Sequence, residues 1–186
     1  MPRAGLDPEA VVTAAAELAD AEGLEAVTLA KVAARLNVRA PSLYVHVGGG
    51  LEDLRRRIAS RGALELAAQL QAAAAGRAGE DALRALADVY RAYARAHPGS
   101  YAATQRVALL TGEETAAAAQ TVIDVLVAVL RGYGLQDEDA IHAVRVVRAA
   151  LHGFVLLETG DGFGMPLDLD ESFARLVQTL HRGIAT

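Results

Sequence analysis

The sequence contains no cysteine, and aromatic residues make up only 4% of it. Without cysteine the chain can form no disulfide, no thiolate metal site and no cysteine nucleophile, and it carries no sign of an oxidising compartment. Hydrophobic residues nevertheless supply 53% of the 186 positions, and much of that share is alanine. This composition is typical neither of a disordered chain nor of a β-rich one, so we expect helices.

Long uncharged apolar runs are also scarce. The longest, such as residues 66–76, are short and rich in alanine and glutamine, so we expect no transmembrane span. The first seven residues hold one arginine and no apolar run, which does not resemble a signal peptide. We therefore expect a soluble, cytoplasmic protein with no membrane partner.

The net charge of -5 hides an asymmetry along the chain. Residues 28–61 hold seven basic and two acidic side chains, a local charge of +5, and the remainder therefore carries -10. A basic segment joined to an acidic body predicts two domains, in which the basic one faces a phosphate backbone.

Proline, glycine and capping residues divide the chain into helices with short connections, which is typical of an all-α fold. Thr28 is predicted to cap the second helix, and Thr111 with Glu114 matches a capping box that would open the seventh. The predicted helices are 8–22, one starting after Thr28, 41–47, 51–75, 80–96, 100–110, one from Thr111 to Gly132 or Gly134, 137–158 and 170–182.

Residues 28–47 have the spacing of a helix-turn-helix. Ala33 lies where two helices would cross, and Asn37 stands at a turn position that favours a left-handed backbone. Val38 and Leu43 would fill the wedge between the helices. A plain pair of antiparallel helices has the same spacing, but the local positive charge favours DNA binding.

The same segment resembles the N-terminal domain of TetR-family transcriptional regulators over residues 8–57. The matching positions are Ala14, Ala15, Gly23, Thr28 and the run Leu43-Tyr44-Val45-His46-Val47. The C-terminal part resembles the subgroup with a Trp-His-Gly type signature, although Leu151 stands where that signature has tryptophan. Its matching positions are His152, Gly153, Phe154, Leu157, Glu158, Gly160, Phe163, Gly164 and Phe173.

The resemblance implies an N-terminal three-helix bundle at residues 1–50 and a larger helical ligand-binding and dimerisation domain at 51–186. Two positions depart from the family pattern. Val47 replaces the usual aromatic residue, and Gly49-Gly50 stand where the family commonly has Ser-Lys. The phosphate contact usually made by that lysine must therefore come from elsewhere.

The predicted DNA-contacting residues lie on the second helix and the short helix after it, whose N-terminal half should face the major groove. Arg39 could reach guanine or a phosphate, and Ser42 could hydrogen-bond to either. The resemblance implies backbone contacts from Tyr44 and His46. Tyr44 could instead lie at the edge of the core, and Thr28 could be a cap only. The full set is Thr28, Lys31, Arg39, Ala40, Pro41, Ser42, Tyr44 and His46.

Nothing in the sequence predicts catalysis. The five histidines lack the spacing of a helical metal pair, and there is no Gly-x-Ser-x-Gly, Walker or dinucleotide-binding motif. We therefore expect no enzyme, no metal site and no cofactor.

The helical body is predicted to hold a small-molecule effector, with polar and aromatic groups that fix its orientation. An ordinary core would also accommodate these side chains. The candidates are Tyr90, Tyr93, Tyr101, Gln105, Arg106, His152, Phe154 and Glu158.

Dimerisation is expected because one short recognition helix buries too little surface to select an operator. The resemblance implies a four-helix interface built from the last two helices. The same apolar stripe could form the core of one subunit. The candidate residues are Val144, Val147, Leu151, Val155, Phe173, Leu176, Val177 and Leu180.

The sequence thus predicts a homodimeric, ligand-responsive regulator: a repressor released from a palindromic double-stranded operator by a small, mostly apolar effector. The alternative is a helical small-molecule-binding or interaction protein with a degenerate helix-turn-helix, which Val47 and Gly50 make plausible. Salt dependence of DNA binding separates the two.

Overall fold

The computed structural model describes residues 7–185, and this part of the chain is helical, without a β-strand. The all-α prediction is therefore confirmed. Its α-helices are α1 Pro8–Glu22, α2 Leu29–Arg35, α3 Gly50–Ala74, α4 Gly79–Ala96, α5 Pro98–Thr104, α6 Glu113–Arg131, α7 Asp137–Thr159 and α8 Leu169–Ile184, and 3₁₀ turns occupy Leu24–Ala26, Ala40–Leu43 and Val107–Leu110.

The backbone divides into two compact units. Of the described residues, the first unit contains 7–65 together with 96–119, and the second contains 66–95 together with 120–185. The predicted boundary at residue 50, between a DNA-binding domain and a ligand-binding and dimerisation domain, stays a prediction.

The start of α1 follows from local chemistry. The Asp7 carboxylate accepts a hydrogen bond from the Glu9 amide at 3.2 Å, and Pro8 occupies the first turn, where its missing N–H costs nothing. Gly23, with a φ of 90°, ends the helix. Val11 and Ala15 are fully buried on the inner face. The predicted stripe is confirmed.

The beginning of α5 packs against α1 within the first unit. A Cβ built on Gly99 would lie 2.1 Å from the carbonyl carbon and oxygen of Ala19, so only glycine fits there. The Asp20 carboxylate accepts a hydrogen bond from the Ser100 amide at 2.7 Å. The predicted helix over 100–110 is instead α5 followed by a 3₁₀ turn.

The predicted capping box at Thr111 is wrong. The Thr111 hydroxyl donates to the Ala108 carbonyl at 3.2 Å and so points back along the chain. Gly112 adopts a φ of 104°, and its carbonyl accepts from the Ala116 amide at 2.9 Å. The positive φ that glycine allows, rather than a threonine cap, therefore opens α6.

In the second unit, α7 is long and apolar enough to cross a membrane by length and composition alone, with a mean hydropathy of 1.5 over 18 of its residues. The expectation drawn from charge-free runs missed this helix because Arg145 and Arg148 interrupt it. The core helix of a soluble protein can be equally long and apolar, so one such helix is weak evidence for a membrane. Val147 and Leu151 are fully buried within the unit.

Candidate nucleic-acid interface

The Thr28 side chain caps α2. Its hydroxyl oxygen accepts a hydrogen bond from the Lys31 amide at 3.2 Å, while the residue itself has an extended backbone. On the inner face, Val32 and Ala33 are buried. The predicted cap is confirmed, and the contact of Thr28 with a phosphate stays a prediction.

The turn after α2 has the predicted left-handed residue. Asn37 has a φ of 53°, and its amide donates to the Ala34 carbonyl at 3.1 Å. The Val38 amide donates to the Ala33 carbonyl at 2.9 Å. These two bonds form a Schellman motif, which ends α2 and redirects the chain.

Residues 39–47, which we call the recognition segment, do not form the α-helix predicted for 41–47. A 3₁₀ turn spans Ala40–Leu43, and the Leu43 carbonyl then accepts from the amides of His46 at 2.8 Å and Val47 at 3.0 Å. Leu43 and Val47 are both fully buried in a cluster with Val32 and Leu54. Val47 therefore anchors the segment to the core, although it is not aromatic.

The recognition segment exposes most of the predicted DNA contacts. Tyr44 is 58% exposed, so it does not lie at the edge of the core. His46 is half-buried. Val45 was not among the predicted contacts, but it is 85% exposed. The available sequence signal was its position midway between the apolar residues Leu43 and Val47, which are both buried. Of the remaining predicted contacts, Ala40 is half-buried, and the exposed ones are Thr28, Lys31, Arg39, Pro41 and Ser42.

Acidic side chains neutralise most of the local positive charge. Lys31 pairs with Glu22 and Arg35 with Glu17, each at 2.7 Å, although both acids lie outside the basic stretch. Arg39 has no ion pair within residues 7–185. The ion pairs on α3 are Arg55–Glu25 at 3.2 Å, Arg56–Glu52 at 3.7 Å, Arg56–Asp53 at 3.5 Å, Arg57–Asp53 at 3.1 Å, Arg61–Glu9 at 3.6 Å and Arg61–Glu65 at 2.7 Å.

The predicted effector residues fall in different units. Tyr90 and Tyr93 are buried on α4 in the second unit, whereas Tyr101 is buried in the first. In that same unit Gln105 is half-buried, and exposed Arg106 is engaged by Glu25. A hydrogen bond from Arg106 is the main cause that lowers the pKa of the Glu25 carboxyl.

Glu158 is held by an arginine that the sequence analysis missed. Arg91 Nε and Nη2 donate to the two Glu158 carboxylate oxygens at 2.8 and 2.6 Å, and Arg91 Nη1 lies 2.7 Å from Asp170. The hydrogen bond from Arg91 lowers the pKa of Glu158, and the same bond raises the pKa of Arg91. The available signal was the position of Arg91 four residues after Ala87 on the buried face of α4.

Aromatic rings surround this ion pair. The centroid of the Phe154 ring lies 4.9 Å from the centroid of the Phe163 ring and 5.0 Å from the centroid of the Phe173 ring. The Arg91 guanidinium lies 4.8 Å from the Phe173 ring centroid, within cation–π range. On α7, the helix that also carries Phe154, His152 is half-buried, and burial lowers its pKa. Protein atoms thus occupy the region around Phe154 and Glu158.

A cavity with room for a ligand lies elsewhere in the second unit. It is a groove open to solvent, with a volume of about 600 Å³. None of the predicted effector residues lines it. Its walls are mainly apolar, with polar groups from Gln71, Arg77, Thr121 and Asp124, and the other lining residues are Ala67, Ala74, Ala75, Ala78, Ala82, Val125, Ala128, Val129 and Gly132.

The predicted dimer residues are mostly core residues of their own unit. Leu176 is half-buried, and the seven buried ones are Val144, Val147, Leu151, Val155, Phe173, Val177 and Leu180. Little of their surface is left for a partner. The exposed apolar side chains of α7 are Ile141, Val146, Leu156 and Leu157.

Two family models match the chain. One, described as bacterial regulatory proteins of the tetR family, matches residues 11–48, and the other, described as a tetracyclin repressor-like C-terminal domain, matches residues 83–180. The chain belongs to the TetR family. TetR-family proteins are DNA-binding transcriptional regulators rather than enzymes, so this TetR-family chain has the predicted class of function. Its place in the Trp-His-Gly subgroup stays a prediction.

The sequence and fold comparisons agree with this assignment. An uncharacterized HTH-type transcriptional regulator of Mycobacterium tuberculosis is 39% identical over 182 residues, which are 97% of this chain and 83% of that protein. A protein of unknown function from Rhodococcus sp. RHA1 has the same fold, with a TM-score of 0.82, 21% identity and coverage of 100% and 98% of the two chains. A TetR variant from Acinetobacter baumannii AYE, solved with minocycline, has a TM-score of 0.72, 22% identity and coverage of 96% of each chain.

Proposed function

We propose that this TetR-family regulator is a cytoplasmic homodimeric repressor, which binds a palindromic operator and leaves it when a small, mostly apolar molecule binds. The observation that carries the proposal is the recognition segment. Its buried Leu43 and Val47 fix a turn that presents Arg39, Ser42 and Tyr44 to solvent. Such a preorganised, exposed and partly basic turn fits the major groove of DNA.

The roles within the recognition segment follow from exposure and charge. Arg39 has no competing ion pair within residues 7–185, so its guanidinium is available for a bidentate contact with guanine. Ser42 has a short side chain that permits close approach, and the Tyr44 hydroxyl extends toward the sugar-phosphate backbone. Thr28 already accepts the Lys31 amide, and its hydroxyl proton remains available for a phosphate.

The effector site that we propose is the cavity of about 600 Å³ in the second unit. This volume lies in the range of small-molecule sites in proteins. The alanine side chains favour a flat apolar molecule, and Asp124 and Thr121 can fix one polar or cationic group on it. None of the predicted effector residues lines this cavity, so it is a second candidate beside the predicted set around Phe154 and Glu158.

The dimer face that we propose is the exposed side of α7 rather than its buried stripe. Ile141, Val146, Leu156 and Leu157 are 41%, 56%, 53% and 48% exposed. A twofold axis through this face would bring two copies of the same apolar surface together. Substitution of Val146 by Glu should therefore favour the monomer and weaken operator binding.

Selection of operators from random duplex DNA tests the DNA-binding proposal. We expect the purified protein to enrich an inverted repeat with half-sites about 34–36 Å apart or a multiple of that spacing. Arg39→Ala should relax the preference at a single base position, while Tyr44→Ala should weaken binding to all sequences. Gln178→Ala on α8 is the surface control. Enrichment of no repeat, with equal affinity for random DNA, would refute the proposal and favour a small-molecule carrier.

A cavity-filling variant tests the effector site. Ala128→Trp should block the cavity, so that compounds which release wild-type protein from its operator no longer act, while DNA binding persists. Ala68→Trp places the same bulk on an exposed position of α3 that does not line the cavity, and it should respond normally. An unchanged response of Ala128→Trp would place the effector elsewhere.

A further inference from the structure

The glycines at 48–50 leave a TetR-family phosphate contact without its usual lysine, and the structure places another cation beside them. A Cβ on Gly49 would lie 3.4 Å from Arg56 Nη2 and 2.7 Å from Asp53 Cβ. The Arg56 guanidinium therefore lies against the glycine turn, and Asp53 leaves no room for any other residue at position 49. We infer that Arg56 makes the phosphate contact that Gly50 cannot make. This inference rests on the proposed DNA binding.

The glycine turn is tied to the recognition segment. The Gly50 amide donates to the Val47 carbonyl at 2.8 Å, and Val47 itself is fully buried. The position of Arg56 is thereby fixed relative to the chain that follows Tyr44 and His46. In the proposed complex, a sugar-phosphate strand that passes Tyr44 and His46 would continue along the glycine turn beside Arg56.

The partners of Arg56 hold it loosely. Its ion pairs with Glu52 and Asp53 are 3.7 and 3.5 Å long, and within residues 7–185 it makes no hydrogen bond. Its side chain is 31% exposed. Ion pairs at solvent-accessible positions contribute little, so a phosphate that offers two oxygens can replace them. Arginine suits this contact because its donors form a planar fork.

The other arginines of α3 are engaged differently. Arg57 Nε donates a hydrogen bond to Asp53 at 3.1 Å. Arg55 Nη2 is directed to Glu25, with the carboxylate at 3.2 Å. Arg61 donates to Glu65 at 2.7 Å and to Thr13. Arg56 is thus distinguished by its place at the glycine turn and by its lack of a hydrogen bond in the described structure.

The test measures affinity for the selected operator as a function of salt concentration. Arg56→Ala should lower the affinity about tenfold for all sequences and reduce the slope of log K against log salt by about one, because one phosphate contact is lost. Arg57→Ala removes the same charge one residue away and should change the slope by less than half as much as Arg56→Ala does. Arg56→Lys should retain the slope, and thermal melting should confirm that each variant is folded.

A rescue experiment tests the location. Gly48 has ordinary backbone geometry and no atom within 4 Å of its Cβ position, so Gly48→Lys introduces a cation at the turn without strain. In the Arg56→Ala background it should restore the slope. Equal slopes for Arg56→Ala and Arg57→Ala, with a wild-type protein that selects DNA, would overturn this inference alone. A wild-type protein without DNA selectivity would overturn the proposed function as well.

Discussion

The ion pairs of α2 and the Arg91–Glu158 pair have the same chemistry, but they lie in opposite environments. In the first unit Lys31 and Glu22 are each 49% exposed, and Arg35 and Glu17 are similarly open to solvent. In the second unit the side chains of Arg91 and Glu158 are each 10% exposed. The exposed pairs can exchange partners at low cost, whereas the buried pair cannot. Lys31 and Arg35 can therefore pair with another anion, whereas Arg91 with Glu158 and Asp170 holds α4, α7 and α8 together.

The largest expected effect comes from breaking the buried pair. Arg91→Ala leaves the Glu158 carboxylate buried without its main partner, which should lower the free energy of unfolding by about 3–5 kcal/mol. Urea denaturation measures this change. The double variant Arg91→Met with Glu158→Leu replaces both charges by apolar groups and should lie close to wild type. A double variant as unstable as Arg91→Ala would show that shape, and not charge burial, sets the cost.

The next effect tests whether backbone packing, rather than charge, holds the first unit together. Gly99→Ala places a methyl group 2.1 Å from the Ala19 backbone and should lower the free energy of unfolding by about 1–3 kcal/mol. Gly183→Ala on α8 meets no atom within 4 Å and is the matched control, for which we expect no loss. Thermal melts of both variants decide the point, and equal melting temperatures would contradict the close packing.

Acid should weaken the second unit through Glu158. Because Arg91 lowers the pKa of Glu158 in the folded state below its ordinary value of 4.5, unfolded chains bind the proton more readily. The stabilisation is complete above pH 4.5 and is lost as the pH falls through the folded pKa. Between pH 5 and 3, wild type should therefore lose more stability than the double variant. Parallel pH profiles of the two proteins would refute this.

The smallest effect is expected from the exposed pairs. Arg35→Ala should change the free energy of unfolding by less than about 1 kcal/mol, and the change should shrink further in 1 M salt. Denaturation at low and high salt measures it. A loss comparable to that of Arg91→Ala would remove the contrast between the two environments.

Local chemistry made much of the fold predictable. The Asp7 and Thr28 caps and the left-handed Asn37 depend on neighbours within a few residues, and the structure has all three. The helix predicted for 41–47 has only seven residues, too few for periodicity to distinguish an α-helix from a 3₁₀ turn. The Thr111 cap failed because a neighbouring glycine offered the chain another conformation.

Long-range pairing was not predictable in this way. Arg91 and Glu158 are 67 residues apart, and Asp20 and Ser100 are 80 apart, so no sequence spacing brings them together. Periodicity identified the buried stripe of α7 but could not tell whether the same chain or a partner covers it. The cavity that we propose for the effector was missed for a related reason, since its alanine walls leave no distinctive side chains to find.

The close approach of Gly99 to Ala19 has a mechanical consequence. Because there is no room for even a methyl group between them, we expect α5 and the end of α1 to move together rather than to slide past each other. Arg106, just after α5, also engages Glu25, just after α1. We therefore expect a displacement of α5 to displace α1, the helix against which α2 packs.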